Sequence, residues 1–315
     1  MHIGKIPPVE LKKIVLEKQG AHSDLIELGP AIGEDAAVLR SKSPYQVVAS
    51  DPVTGAVENI GTIAVHVNAN DVAASGADPM FFLSTILLDG NAGYSDLEAI
   101  MDDIDAACKE VGAAIVGGHT EITPGIDRTI ISGTMIGHAD SYVPTGGAKC
   151  GDAILLTKCA GIEGAAILSH ERRDELQTHF GKAFVGGLQE YSSMLSVVPE
   201  ARILRKYANA MHDPTEGGVA GALGEIASAS SLGISVAEKD VPVPDDIKAL
   251  CSYYSIDPLN LISSGALIAT VPMERAEEAL AELESEGHSA TQIGTMTDSG
   301  CTLSPPPHDA LWDIL

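Results

Sequence analysis

The segment SYVPTGGAKCGD, residues 141–152, crowds proline and glycine between two stretches that each mix strand-length apolar runs with helical ones. Such density interrupts both regular structures, so the chain is expected to fold as two bodies, 1–145 and 146–315. In the first, the pattern predicts helices at 9–19, 60–76 and 96–111, and strands at 36–39, 46–49, 80–88, 113–116 and 129–138. In the second it predicts strands at 153–157, 234–236, 266–271 and 290–296, with helices through 161–207 and at 217–230 and 273–284. Strands and helices mix in both halves, which makes the class α+β. No low-complexity tract or solenoid-length repeat competes with that reading.

Aromatic residues are 4% of the chain against 45% hydrophobic overall, so its core must come from Ala, Val, Ile and Leu. Acidic residues number 44 against 19 basic, a net charge of −25, which opposes binding to nucleic acid or to an anionic membrane surface. Five cysteines without a CxxC pair read as reduced thiols, and no uncharged apolar run has membrane-spanning length. The expectation is a cytoplasmic protein with no nucleic-acid or membrane partner.

Three acids of the first half have unusual settings. Asp35 lies in GEDAAVL between a glycine turn and an apolar run, Asp51 follows VVAS, and Asp71 is embedded in the small residues of NANDVAASGADP. Each alone reads equally as a turn or cap acid. Together they suit a divalent cation, and Mg²⁺ in particular, because it takes a few carboxylates and bridges phosphate oxygens. In IVGGHTEITPG, Gly117 and Gly118 precede His119 and Thr120, and the pattern predicts a loop with exposed N–H groups. In MHDPTEGGVAG, Asp213, Thr215, Gly217 and Gly218 precede an alanine-rich helix, and read either as a helix cap or as a phosphate and metal site. No GxxxxGK[ST] or GxGxxG motif occurs, so neither a P-loop nor the simplest dinucleotide fold is expected. Met101, Ile104 and Cys108, at helical spacing, read as core.

IGEDAAVL, ASD, NANDVAASGADP, VGGHTEI and HDPTEGGVAGALGEI occur in an order that resembles the aminoimidazole ribonucleotide (AIR) synthase superfamily. That group includes PurM, thiamin monophosphate kinase, selenophosphate synthetase and the HypE hydrogenase maturation proteins. GKIPP, GEDAAV and the DPTxGG pattern bring the chain nearest to the HypE type. The resemblance implies a two-domain fold, an N-terminal mixed sheet that pairs across a homodimer and a C-terminal α/β sandwich. It also implies ATP and Mg²⁺ as cofactors. Asp35, Asp51, Asp71 and Asp213 would hold the metal, while Ser50, Gly117, Gly118, Thr120, Thr215, Gly217 and Gly218 would join Asp51, Asp71 and Asp213 around the nucleotide.

Two departures stand out. His119 occupies the place of an Asp usual in that glycine segment, and the given sequence ends HDALWDIL where HypE carries a cysteine. A protein that does not carry a C-terminal thiol is therefore expected. The implied chemistry is Mg-dependent activation of a carbonyl or amide oxygen by phosphoryl transfer from ATP, with His119 and Asp213 as candidate catalytic groups and an unidentified small substrate or carrier protein. Two alternatives stay open: a small-molecule kinase similar to thiamin monophosphate kinase, and a non-catalytic nucleotide-binding subunit of a maturation complex.

Overall fold

A computed structural model describes residues 4–31, 36–54 and 59–315. The chain divides into two compact units, Met1–Val72 with Ala77–Ser141, and Ala73–Gly76 with Tyr142–Leu315.

The elements of the first unit are β1 (Gly4–Lys5), α1 (Pro8–Glu10, continued by a π-helical Leu11–Leu16), β2 (Ile26–Leu28), β3 (Val38–Leu39), β4 (Tyr45–Ala49), β5 (Pro52–Val53), α2 (Ile60–Ala74), β6 (Asp78–Leu88), α3 (Tyr94–Val111), β7 (Ala114–Ile122) and β8 (Ile130–Ala139). Strand order is β1-β7-β6-β8-β4, with β5 also on β8. The β6–β7 pair is parallel and its neighbours antiparallel, which makes the sheet mixed.

Between the parallel strands runs α3, whose stripe of Leu97, Ile100, Met101, Ile104, Ala107, Cys108 and Val111 is buried, as its spacing requires. The left-handed Gly112 ends it. Helix α2 instead packs closely through small residues. A Cβ on Gly137 of β8 would lie 2.3 Å from Val72 Cγ1, so only glycine admits the helix there. The separate β2–β3 ribbon packs Ile26 and Leu39 onto buried Leu25, Phe81, Ala114 and Val116.

The glycine segment corrects the sequence reading. Residues 117–120 continue β7 instead of forming a loop, paired from Leu83↔Gly117 to Ile86↔Thr120 after a register shift at Phe82/Leu83. Gly118 is what makes this possible. Its φ is 146°, and a Cβ there would meet the Ser84 carbonyl oxygen at 2.1 Å.

The second unit holds β9 (Ala153–Thr157), α4 (Ile162–Glu171), α5 (Arg173–Phe180), α6 (Lys182–Glu190), α7 (Val198–Leu204), β10 (Ala210–His212), α8 (Gly218–Ser230), β11 (Gly233–Val236), α9 (Asp245–Tyr254), β12 (Ile268–Val271), α10 (Ala276–Ser285) and β13 (Ala290–Thr297). Its sheet, β10-β12-β9-β13-β11, is antiparallel throughout. Both β9 and β12 are buried at every position, which explains why apolar residues dominate them, with Thr157 and Thr270 the exceptions. Lys158, just beyond β9 and at φ 51°, reaches inward. Its Nζ donates to Ser196 O and Gly265 O, both at 2.7 Å, and pairs with buried Glu200 at 2.8 Å.

Candidate functional site

In the first unit, Asp51 lies in the two-residue gap between β4 and β5, half-buried. Its N–H donates to Asn68 Oδ1 at 2.8 Å, and Asn68 Nδ2 returns a bond to Asp51 O at 3.2 Å. Ser50 Oγ donates to Gly133 O at 2.7 Å and lies 3.0 Å from Thr134 Oγ1. Asp71 stands three residues beyond Asn68 on α2, on the same side of the helix. Asn68 therefore ties the strand interruption that carries Asp51 to the helix that carries Asp71. Asp35 falls outside the described residues. Among the described residues, no group of three His, Cys, Asp or Glu side chains is arranged to hold a metal.

Gly117, Gly118, His119 and Thr120 line a cavity of about 320 Å³ with Ser84, its apolar wall coming from Leu11, Val15, Leu83, Met101 and Val116. Lys18, ion-paired with Asp102, stands at that cavity as well. His119 Nε2 lies 3.0 Å from Glu121 Oε2, and Thr123 Oγ1 donates to Glu121 Oε1 at 2.9 Å. The histidine is thus already engaged by a carboxylate two residues along its own strand face.

In the second unit, Asp213 follows β10 and is buried. Thr215 O accepts Gly218 N–H at 2.9 Å, and Gly217 enters α8 at φ 81°. The Gly217 N–H donates to Asp309 Oδ2 at 2.7 Å. Asp309 Oδ1 accepts Leu311 N–H at 2.8 Å, and Trp312 Nε1 donates to Glu216 at 3.2 Å. Pro306 packs over Gly217 and Pro305 over Gly224, so the segment 303–313 lies across the start of α8. A Cβ on Gly218 would meet Leu261 O at 2.5 Å, so this glycine serves close packing within the unit.

Glu163, near the start of α4, is the acid the sequence reading passed over. It is 5% exposed, and Oε2 has no hydrogen-bond partner among the described residues. Burial pushes its carboxyl up to about 7, with the charges of Asp309 and Asp213 adding to the rise and Ser264 pulling the other way. Asp309 is raised too, by burial, against the N–H groups of Leu311, Gly217 and Ile262. The signal available in the sequence was an acid among small apolar residues, in GIEGAAIL, where a carboxylate is costly to desolvate.

Among the described residues no helix is long and apolar enough to cross a membrane. The family model for the AIR synthase related protein, N-terminal domain, matches residues 33–139, and that for the C-terminal domain matches 149–303. The carbamoyl dehydratase HypE of Azotobacter vinelandii is 33% identical over 244 residues, covering 76% of this chain and 70% of that protein. A crystal structure of the hydrogenase maturation protein HypE in complex with ATP matches with a TM-score of 0.77 at 28% identity, covering 94% of this chain and 88% of that one. Thiamine-monophosphate kinase from Stenotrophomonas maltophilia K279a shares the fold, with a TM-score of 0.75 at 22% identity over 95% of this chain and 96% of that one. The chain belongs to the AIR synthase related protein family and is HypE-like within it.

Proposed function

We propose that this chain is an ATP-dependent enzyme that activates a carbonyl or amide oxygen by phosphoryl transfer, with Mg²⁺ as the accompanying ion. The observation that carries the reading is the fastening of Asp51 to the helix of Asp71 through Asn68. Mg²⁺ is commonly bound by one or two carboxylates together with phosphate oxygens and water, and two acids on joined elements suit it. On a chain of net charge −25, a polyphosphate needs such a bridging cation. Asp51 and Asp71 would hold the ion, which when bound would neutralise charge developing on the transferred phosphoryl group. The cavity beside Gly117–Thr120, polar along the strand and apolar opposite, is a fitting place for a small substrate or nucleoside. The ATP-bound HypE structure supports the nucleotide part of the reading.

Calorimetry tests it. ATP should bind with Mg²⁺ and not in excess EDTA, and Asp71→Asn and Asp51→Asn should each weaken binding by about tenfold or more, the scale of a lost charged contact. Undiminished ATP binding in EDTA rules the reading out. Turnover that rises only when thiamin monophosphate is added would favour a kinase instead, and a chain that binds but never turns ATP over would be a binding subunit.

The same reading includes a homodimer built on the first unit. Leu28, Val38, Tyr45 and Val48 are exposed apolar residues on its strands, and β4 is an edge strand. Such an edge is an aggregation liability unless it is paired or covered. Light scattering at micromolar concentration with Mg-ATP should report twice the chain mass; a monomer there removes the dimer from the proposal.

A further inference from the structure

In an antiparallel ladder, the residues of a hydrogen-bonded pair exchange both N–H···O=C bonds. Along β8 the register runs without a slip from Tyr45↔Ala139 to Ala49↔Met135, and again through Pro52↔Ser132 and Val53↔Ile131. Asp51 therefore stands opposite Gly133. Half of their exchange is present, Gly133 N–H donating to Asp51 O at 2.9 Å. The other half is taken apart by two side chains: Asp51 N–H goes to Asn68 Oδ1, and Gly133 O receives Ser50 Oγ.

Asn68 is built into this position. Its side chain is fully buried, and Nδ2 donates to Ala64 O at 2.8 Å as well as to Asp51 O. A Cβ on Gly133 would lie 2.3 Å from that nitrogen, so glycine on the strand makes room for the amide. Both of its bonds to the strand go to the backbone of one residue, the N–H and the C=O of Asp51, a candidate metal-binding acid. A side chain needed only to staple helix to sheet would have no reason to divert a ladder bond.

We infer that Asn68 is a positioning residue for the nucleotide site, holding Asp51 out of the β4–β5 ladder and in fixed relation to Asp71 on the same helix. The inference rests on the Mg-ATP reading above. With Asn68 gone, Asp51 N–H is free to close onto Gly133 O, and Asp51 becomes an ordinary strand residue.

The test uses the full chain, with Asn68→Ala as the principal variant and Asn68→Asp, which keeps Oδ1, as the conservative one. Three quantities are read: Mg-ATP affinity by calorimetry, melting temperature, and the through-hydrogen-bond NMR coupling from the Asp51 amide. In Asn68→Ala the coupling should move to the Gly133 carbonyl and affinity should fall about tenfold or more, the scale of a misplaced charged contact. Asn68→Asp should recover most of that loss. Should Asn68→Ala not fold, the conservative variant is read by the same coupling, and a shift to Gly133 O with unchanged affinity overturns the inference. Wild-type affinity in a folded Asn68→Ala also overturns it and leaves the nucleotide reading intact. A wild-type chain that does not bind Mg-ATP overturns both.

Discussion

Asp309 Oδ2 holds the backbone N–H of Gly217, 92 residues earlier in the chain, at 2.7 Å. Helix N-termini leave their first N–H groups without intrahelical partners, and a carboxylate is a strong acceptor for them. Here the capping group of α8 comes from a distant segment.

Asp309→Ala should therefore loosen the start of α8 selectively. The expected cost is about 2 kcal/mol in urea unfolding, the scale of a hydrogen bond to a charged group. Hydrogen exchange at the Gly217 and Leu311 amides should rise while the β9 and β12 amides stay protected. Uniform exchange across the second unit would contradict this.

Glu163 makes the second unit sensitive to pH. Its folded-state pKa of about 7 lies above the ordinary carboxylate value of 4.5. The folded protein thus keeps a proton that the unfolded chain releases, and the resulting stability is present below about pH 4.5 and lost as pH rises through 7. At pH 8, in EDTA, Glu163→Gln should be the more stable protein by roughly 3–3.5 kcal/mol, the energy of such a shift. The two should converge toward pH 5, and a constant difference across that range would refute the assignment.

Gly118 and Gly117 are adjacent and should behave oppositely. Gly118→Ala drives a methyl into the Ser84 carbonyl from a left-handed backbone, at an expected cost of roughly 2–4 kcal/mol. At Gly117 the nearest atom to an added Cβ is Leu83 Cδ2 at 3.4 Å, so Gly117→Ala should cost about 1 kcal/mol or less. Parallel urea titrations decide it.

Lys158→Met should cost about 3–5 kcal/mol, because it leaves the Glu200 carboxylate buried without its cation. His288 Nδ1 lies 3.4 Å from the same oxygen. Adding Glu200→Gln should recover much of the loss. A double variant no better than Lys158→Met alone would assign the cost to the Ser196 and Gly265 carbonyl bonds instead.

The sequence was most legible where periodicity is long. The buried stripe of α3 and the apolar runs of β9 are direct prints of their surroundings, and the two-domain α+β class followed from them. Shorter elements escaped: β10 is three residues long, below any period. Helix α9 was missed, although Pro244 followed by two acids is a helix-start signal with Ile247, Leu250 and Cys251 as its buried face. The glycine pair of β7 reads as a turn because nothing local announces the Ser84 carbonyl that Gly118 accommodates. At the candidate site, the acids and glycines could be listed from sequence, but not what each one touches. Asn68 was overlooked beside Asn70 and Asp71, since its meaning lies in the gap between two strands, 17 residues away.

Trp312, hydrogen-bonded to Glu216 and 48% exposed, is the single tryptophan of the chain. Excitation at the red edge of the protein band thus interrogates one contact alone, the seat of segment 303–313 upon the turn that opens α8. Emission colour and quenching by iodide report whether that seat is kept, in unlabelled protein and in real time. The molecule carries its own lamp at a turn where a backbone amide is held by a carboxylate from across the chain.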